Sequence, residues 1–204
     1  MSLADRLTFS RLILAPIFFV AYMLPIWFPQ HMADRAVFVV VLCWVIFIIS
    51  ELTDMFDGMA ARKLKQSSNF GRLLDPFADT LMQLSCFLCF VIDGIFPAFL
   101  FLVVLYREFG ILFLRNLMLQ KGVSMGARNS GKIKTVSFII AAITALIYAS
   151  LSRLGLMQAM LGGIRTAVLA IFSLSVCIAV LSFFDYYSVY RKTPAKPADT
   201  NPVP

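Results

Sequence analysis

Six apolar runs, most of them near the roughly 20 residues that carry a helix across a bilayer, constrain this chain more than any other feature. They cover residues 7–27, 33–55, 75–90, 96–119, 132–151 and 165–187. The third is short, and its lower end has room to extend back toward Gly71. Hydrophobic residues make up 60% of the 204, and the mean hydropathy is +0.86. A soluble domain of this length could not hide that much apolar surface. The runs are continuous rather than alternating, which sets aside a membrane β-barrel. The sequence therefore predicts an all-α integral membrane protein, a bundle of six transmembrane helices within residues 1–192. Residues 193–204, rich in proline and polar side chains, have the composition of a disordered tail.

The net charge of +7 is a topology signal rather than a nucleic-acid footprint, because Lys and Arg mark cytoplasmic loops. One side of the predicted bundle collects Arg6, Arg11, Arg62, Lys63, Lys65, Arg72, Lys121, Arg128, Lys132, Lys134, Arg191, Lys192 and Lys196. The other has only Arg35, Arg153 and Arg165. Both termini are thus expected in the cytoplasm. The first apolar run is too long for a signal-peptide core of about 7–15 residues and is read as a retained helix. Phe183, Phe184, Tyr186, Tyr187 and Tyr190, just before Arg191 and Lys192, read as an interfacial aromatic belt. Cys43, Cys86, Cys89 and Cys177 all lie in apolar runs and read as packing residues. His31 falls in an outer connection and is given no role.

Acids near lipid are costly and usually functional. Four of them, Asp54, Asp57, Asp75 and Asp79, gather where the second run ends and the third begins. Asp54 and Asp57 are three apart, with Ala61 four further on, so the three share a helix face. Asp75 and Asp79, four apart, share another, with Asp75 read as an N-cap and Pro76 in the first turn. Both pairs belong to the cytoplasmic end. Four carboxylates at close range repel unless cations intervene. Their hard oxygens suit Mg²⁺ or Mn²⁺, and two such ions would clamp phosphate oxygens. Gly58 lets a ligand approach the backbone, and Arg62 offers a fixed cation for phosphate. The competing reading is surface ion pairing with Arg62, Lys63, Lys65 and Arg72. It serves for any single acid, but poorly for all four at these spacings.

The pattern Asp54-x2-Asp57-Gly58-x2-Ala61-Arg62-x8-Gly71-x3-Asp75-x3-Asp79 resembles the signature of the CDP-alcohol phosphotransferase family at every fixed position. The resemblance implies a multi-pass enzyme of the membrane, as in a bacterial inner membrane, with its site at the cytoplasmic face. It implies transfer of a phosphatidyl-type group from a CDP-linked lipid such as CDP-diacylglycerol to an alcohol, with release of CMP, and a homodimer. By the same resemblance the four aspartates hold one or two Mg²⁺ or Mn²⁺ ions, and Asp79 is the general base. Asp57, Gly58, Ala61, Arg62, Gly71 and Thr8 take the CDP-lipid.

Leu7-Thr8-Phe9-Ser10-Arg11, Asp75-Pro76-Phe77-Ala78-Asp79, Arg107-Glu108 and Gly131-Lys132-Ile133-Lys134-Thr135 resemble segments of the family's phosphatidylglycerophosphate synthases. In that group the acceptor is glycerol 3-phosphate. Asp5 and Thr80 depart from it, standing where Asn and Lys are usual. Inositol phosphate, inositol, serine, choline or phosphatidylglycerol stay open as acceptors. A phosphorylated acceptor fits the basic residues Arg107, Arg115, Lys132 and Lys134 as a phosphate pocket. For Arg107, deep in its run, two readings stand: an anion ligand, or a structural pair with Glu108, which helical geometry disfavours for sequential residues. For Lys132 and Lys134 the rival is ordinary positive-inside charge. A divalent-cation transporter is the non-enzyme alternative. It fits less well, since no internal repeat is visible and the acids sit at one face rather than mid-membrane.

Overall fold

The structure, a computed structural model, describes residues 3–64, 69–121, 123 and 128–193, without the side chains of 3–7, 33, 54–64 and 69–73. Six long helices carry the fold: α1 Leu3–Trp27, α2 Ala36–Leu64, α3 Asn69–Ile92, α4 Ala98–Gln120, α5 Asn129–Arg153 and α6 Leu161–Lys192. A one-turn helix, Pro29–Met32, and a 3₁₀ turn, Ala33–Arg35, join α1 to α2, and another 3₁₀ turn, Gln158–Met160, precedes α6. No strand occurs among the described residues.

The helices match the apolar runs, with one correction. α3 begins at Asn69, so Asp75 is not an N-cap, and Pro76 lies inside the helix rather than in its first turn. Proline already has a helical φ, and its interior penalty is the loss of one amide donor and crowding of the preceding turn. α1 likewise runs through Pro16 and Pro25.

Five segments are long and apolar enough to cross a membrane: Thr8–Trp27, Ala36–Thr53, Leu74–Ile92, Asn129–Arg153 and Gln158–Lys192. In an 18-residue apolar stretch of each, only 33–39% of the residues are buried within the protein. Apolar side chains left outward in such numbers need lipid, not water, as solvent. α4 has the length, but Arg107, Glu108 and Arg115 fall in every 18-residue stretch of it. Its outer face is nonetheless apolar, with Phe99, Leu102, Val103, Tyr106, Phe109 and Phe113 exposed, while Arg107 and Glu108 are buried.

α1 packs against both α2 and α3, α5 against α6, and α4 against α6, while α3 reaches across to α4 and α5. In lipid, close packing replaces the hydrophobic effect as the main force between helices, and small residues permit it. α5 buries Ala141, Ala145 and Ala149 at four-residue spacing, and α6 buries Val168, Phe172, Val176 and Ala179. Phe87 of α3 is the hub. Its ring meets Phe96, Phe138 and Phe172 edge-on at 5.5, 5.3 and 5.3 Å, and Phe96 stacks on Phe172 at 3.7 Å.

One end of the bundle is tied by polar groups. Gly94 takes φ +71° in the turn after α3. The Tyr22 hydroxyl donates to Asp93 (2.7 Å), and Arg153 donates to the same carboxylate (3.2 Å) while its guanidinium lies 3.9 Å over the Tyr22 ring. Arg165 donates to the Gly94 carbonyl at 2.9 Å. Arg153 and Arg165, both assigned from sequence to the sparsely basic side, therefore share one end of the molecule.

Candidate active site

Arg11 lies about three turns before Tyr22 on α1, and there the bundle opens into a cavity of about 450 Å³. All six helices line it, with Arg11 from α1, Glu51 from α2, Asp79 and Gln83 from α3, Arg107, Glu108 and Arg115 from α4, Lys132 and Lys134 from α5, and Tyr186 from α6. The volume suits a small polar ligand.

Asp75 and Asp79 stand one turn apart on α3 and converge on one cation. Buried Arg11 donates through one terminal nitrogen to Asp75 (2.5 Å) and pairs through the other with Asp79. The Thr8 hydroxyl also reaches Asp75, at 3.4 Å. The two carboxylates are 46% and 43% exposed, so neither is sealed off by the arginine. Asp79 lines the cavity and Asp75 is half-exposed beside it, and hard carboxylate oxygens one turn apart are the donor type that suits Mg²⁺ or Mn²⁺. Asp54, Asp57, Gly58, Ala61 and Arg62 belong to the last turns of α2 and Gly71 to the first turn of α3, and their side chains lie outside the described ones. Among the described residues no three metal-binding side chains gather, and of the four expected ligands Asp75 and Asp79 are the two whose side chains are described.

The basic side of the cavity is built around Glu108. One of its oxygens accepts from Arg107 and from the Lys134 ammonium, both at 2.8 Å. The Arg107–Glu108 pairing, which helical geometry disfavours for neighbours in sequence, thus occurs, because Arg107 is long and is anchored elsewhere. Its Nε donates to the Ala179 carbonyl (3.1 Å) and its second terminal nitrogen to Ser182 (3.0 Å), both on α6. Lys134 also donates to Gln83 at 3.1 Å. Arg107, Glu108 and Lys134 are all buried. Arg115 sits 5.9 Å from the Tyr186 ring centre, and its buried Nε has no hydrogen-bond partner among the described residues. Lys132 lines the same cavity and is exposed. Arg128 grips Asp185 through two bonds of 2.7 and 2.8 Å, joined by Ser130 at 2.5 Å. Hydrogen bonding to that carboxylate holds the Arg128 guanidinium above its ordinary range.

Tyr186 is not part of an interfacial belt. It is 2% exposed and lines the cavity. A Cβ on Gly131 would stand 2.7 Å from its hydroxyl, so α5 and α6 meet here only because Gly131 has no side chain. Gly131→Ala is expected to destabilise the protein by about 1–3 kcal/mol through overpacking, read as a lower melting temperature in detergent. An unchanged melting temperature would show that the ring gives way freely.

Sequence reasoning placed Arg107, Arg115, Lys132 and Lys134 in one group, and all four line the cavity beside Asp79. It passed over Arg11 as a topology charge, although an arginine at the start of an apolar run carried a signal. Gln83 and Tyr186 gave none, because an amide and a phenol are unremarkable in a helix.

A family model described as CDP-alcohol phosphatidyltransferase matches residues 1–181. Among curated relatives, the CDP-diacylglycerol--glycerol-3-phosphate 3-phosphatidyltransferase of Treponema pallidum is 36% identical over 93% of this chain and 89% of its own. A protein of the same name from Bacillus subtilis is 35% identical over 72% and 77%. A probable phosphatidylglycerophosphate synthase of Mycobacterium tuberculosis is 30% identical over 91% and 79%. With the motif on α2 and α3, the inward acids of α3 and a match across nearly its whole length, this chain belongs to the CDP-alcohol phosphatidyltransferase family and is an enzyme.

Proposed function

We propose that the enzyme transfers the phosphatidyl group of CDP-diacylglycerol to glycerol 3-phosphate, giving phosphatidylglycerophosphate and CMP. The observation that carries this reading is the basic cavity. Arg107, Arg115, Lys132 and Lys134 line one space with Asp79, and an acceptor with its own phosphate uses cations there that a neutral alcohol would leave idle. The names of the relatives point to the same acceptor.

In this reading the acceptor's phosphate is held by the basic wall, which directs one of its two free hydroxyls toward Asp79. Asp79 takes the hydroxyl proton as the oxygen attacks the phosphatidyl phosphorus. The bond from that phosphorus to the bridging oxygen breaks, and CMP departs with the electron pair. Arg11 steadies Asp75 and Asp79 on one face of α3. Asp54, Asp57, Asp75 and Asp79 would hold Mg²⁺ or Mn²⁺, which when bound offsets the pyrophosphate charge. Gly58, Ala61, Arg62, Gly71 and Thr8 are read as the CDP-lipid side of the site. We also read all six long helices as spans, α4 included because its charges turn inward. The cavity then opens toward the cytoplasm, the side richer in Lys and Arg.

The test is CMP release from CDP-diacylglycerol by purified enzyme in mixed micelles with Mg²⁺, across glycerol 3-phosphate, inositol phosphate, inositol, serine and choline. Glycerol 3-phosphate alone is expected to support turnover, and EDTA to stop it. Turnover with another acceptor and none with glycerol 3-phosphate would overturn the acceptor assignment.

A further inference from the structure

Glu108 is an acid in the middle of a basic pocket. An acid there repels any phosphate that enters, and burying it is expensive unless it is fully paired. Its surroundings account for its presence. A single carboxylate oxygen accepts from Arg107 of α4 and Lys134 of α5, at 2.8 Å each. Two cations brought to one atom repel each other unless that atom is negative. The other bonds of the pair run outward to separate helices. Arg107 reaches Ala179 and Ser182 on α6, and Lys134 reaches Gln83 on α3. Among the described residues, Glu108 is thus the group that ties both cations to a common point. Neither cation exhausts its donors in these bonds, since a guanidinium carries five N–H groups and an ammonium three.

We infer that Glu108 is a positioning residue for the acceptor: it holds Arg107 and Lys134 together as a preformed clamp for a phosphate monoester. Arg115 and Lys132, which have no acid partner among the described residues, supply the charge that outweighs Glu108 when the phosphate enters. The inference rests on the acceptor reading above and adds to it a division of labour within the pocket.

The test separates the two substrates. Glu108→Gln keeps the shape and one accepting oxygen but loses the charge, and charge-assisted bonds are about twice as strong as neutral ones. It is expected to raise KM for glycerol 3-phosphate about tenfold, with KM for CDP-diacylglycerol within about twofold of wild type. A merely structural role would lower the active fraction without moving either KM. A Glu108→Gln enzyme whose acceptor KM is unchanged, or lower because an anion-repelling charge has gone, overturns the inference. If Glu108→Gln does not fold, Glu108→Asp carries the same reading. It keeps the charge but falls short by one methylene, so the acceptor KM should rise about threefold or more, and no rise overturns the proposal. Wild type is run alongside. Should it use a different phosphorylated acceptor, the glycerol 3-phosphate reading fails while the clamp is tested on that acceptor. Should it use only an unphosphorylated one, the clamp fails too.

Discussion

Asp79→Asn is expected to lower CMP release by about 10²–10⁴-fold, the range a positioned general base contributes, while the protein still folds. The side chain faces the cavity and is 43% exposed, so an amide replaces it without a desolvation penalty. Arg11, which is buried and would suffer if left alone, retains Asp75 at 2.5 Å. Stability and catalysis should therefore part company in this variant: near-native melting, collapsed turnover. The measurement is single-time-point CMP release at saturating CDP-diacylglycerol beside a melting curve in the same detergent. Turnover within a few-fold of wild type would remove Asp79 from proton transfer.

Phe87→Ala is expected to have the largest effect on stability, about 3–5 kcal/mol for removal of a fully buried aromatic. Phe87 is 0% exposed and touches rings from α6 and α5 as well as Phe96 in the turn between α3 and α4. Truncation forfeits three edge-to-face contacts at once, each about 0.5–1.5 kcal/mol beyond area. In lipid, packing is a main force between helices, and Phe87 carries it from α3 to α5 and α6. A marked fall in melting temperature, with Phe87→Leu recovering part of it, is the expected pattern. A Phe87→Ala protein that melts like wild type would mean that the hub is filled by its neighbours.

The helices were legible because lipid imposes a length and a composition on each, and both can be counted along a chain. The family was legible because eight fixed residues recur at fixed intervals over 54–79. What escaped was set by packing between helices. Whether Arg107 binds an anion or pairs with Glu108 depends on where Ala179 and Ser182 of α6 fall, more than 70 residues away. Tyr186 read as an interfacial residue from its neighbours in sequence, yet it points inward because Gly131 on α5 leaves room for its hydroxyl. Pro76 read as a helix start because proline is common there. Here Asn69–Leu74 precede it in the same helix.

A cavity lined by charged groups inside a bundle of apolar helices needs a wall on its apolar side. Phe87 and Phe138 line the chamber, and Phe87 in turn packs edge-on against Phe96 and Phe172, whose rings stack at 3.7 Å. The aromatic hub is therefore a wall of the chamber as well as a joint between helices. Any change that loosens the joint therefore also reshapes the chamber.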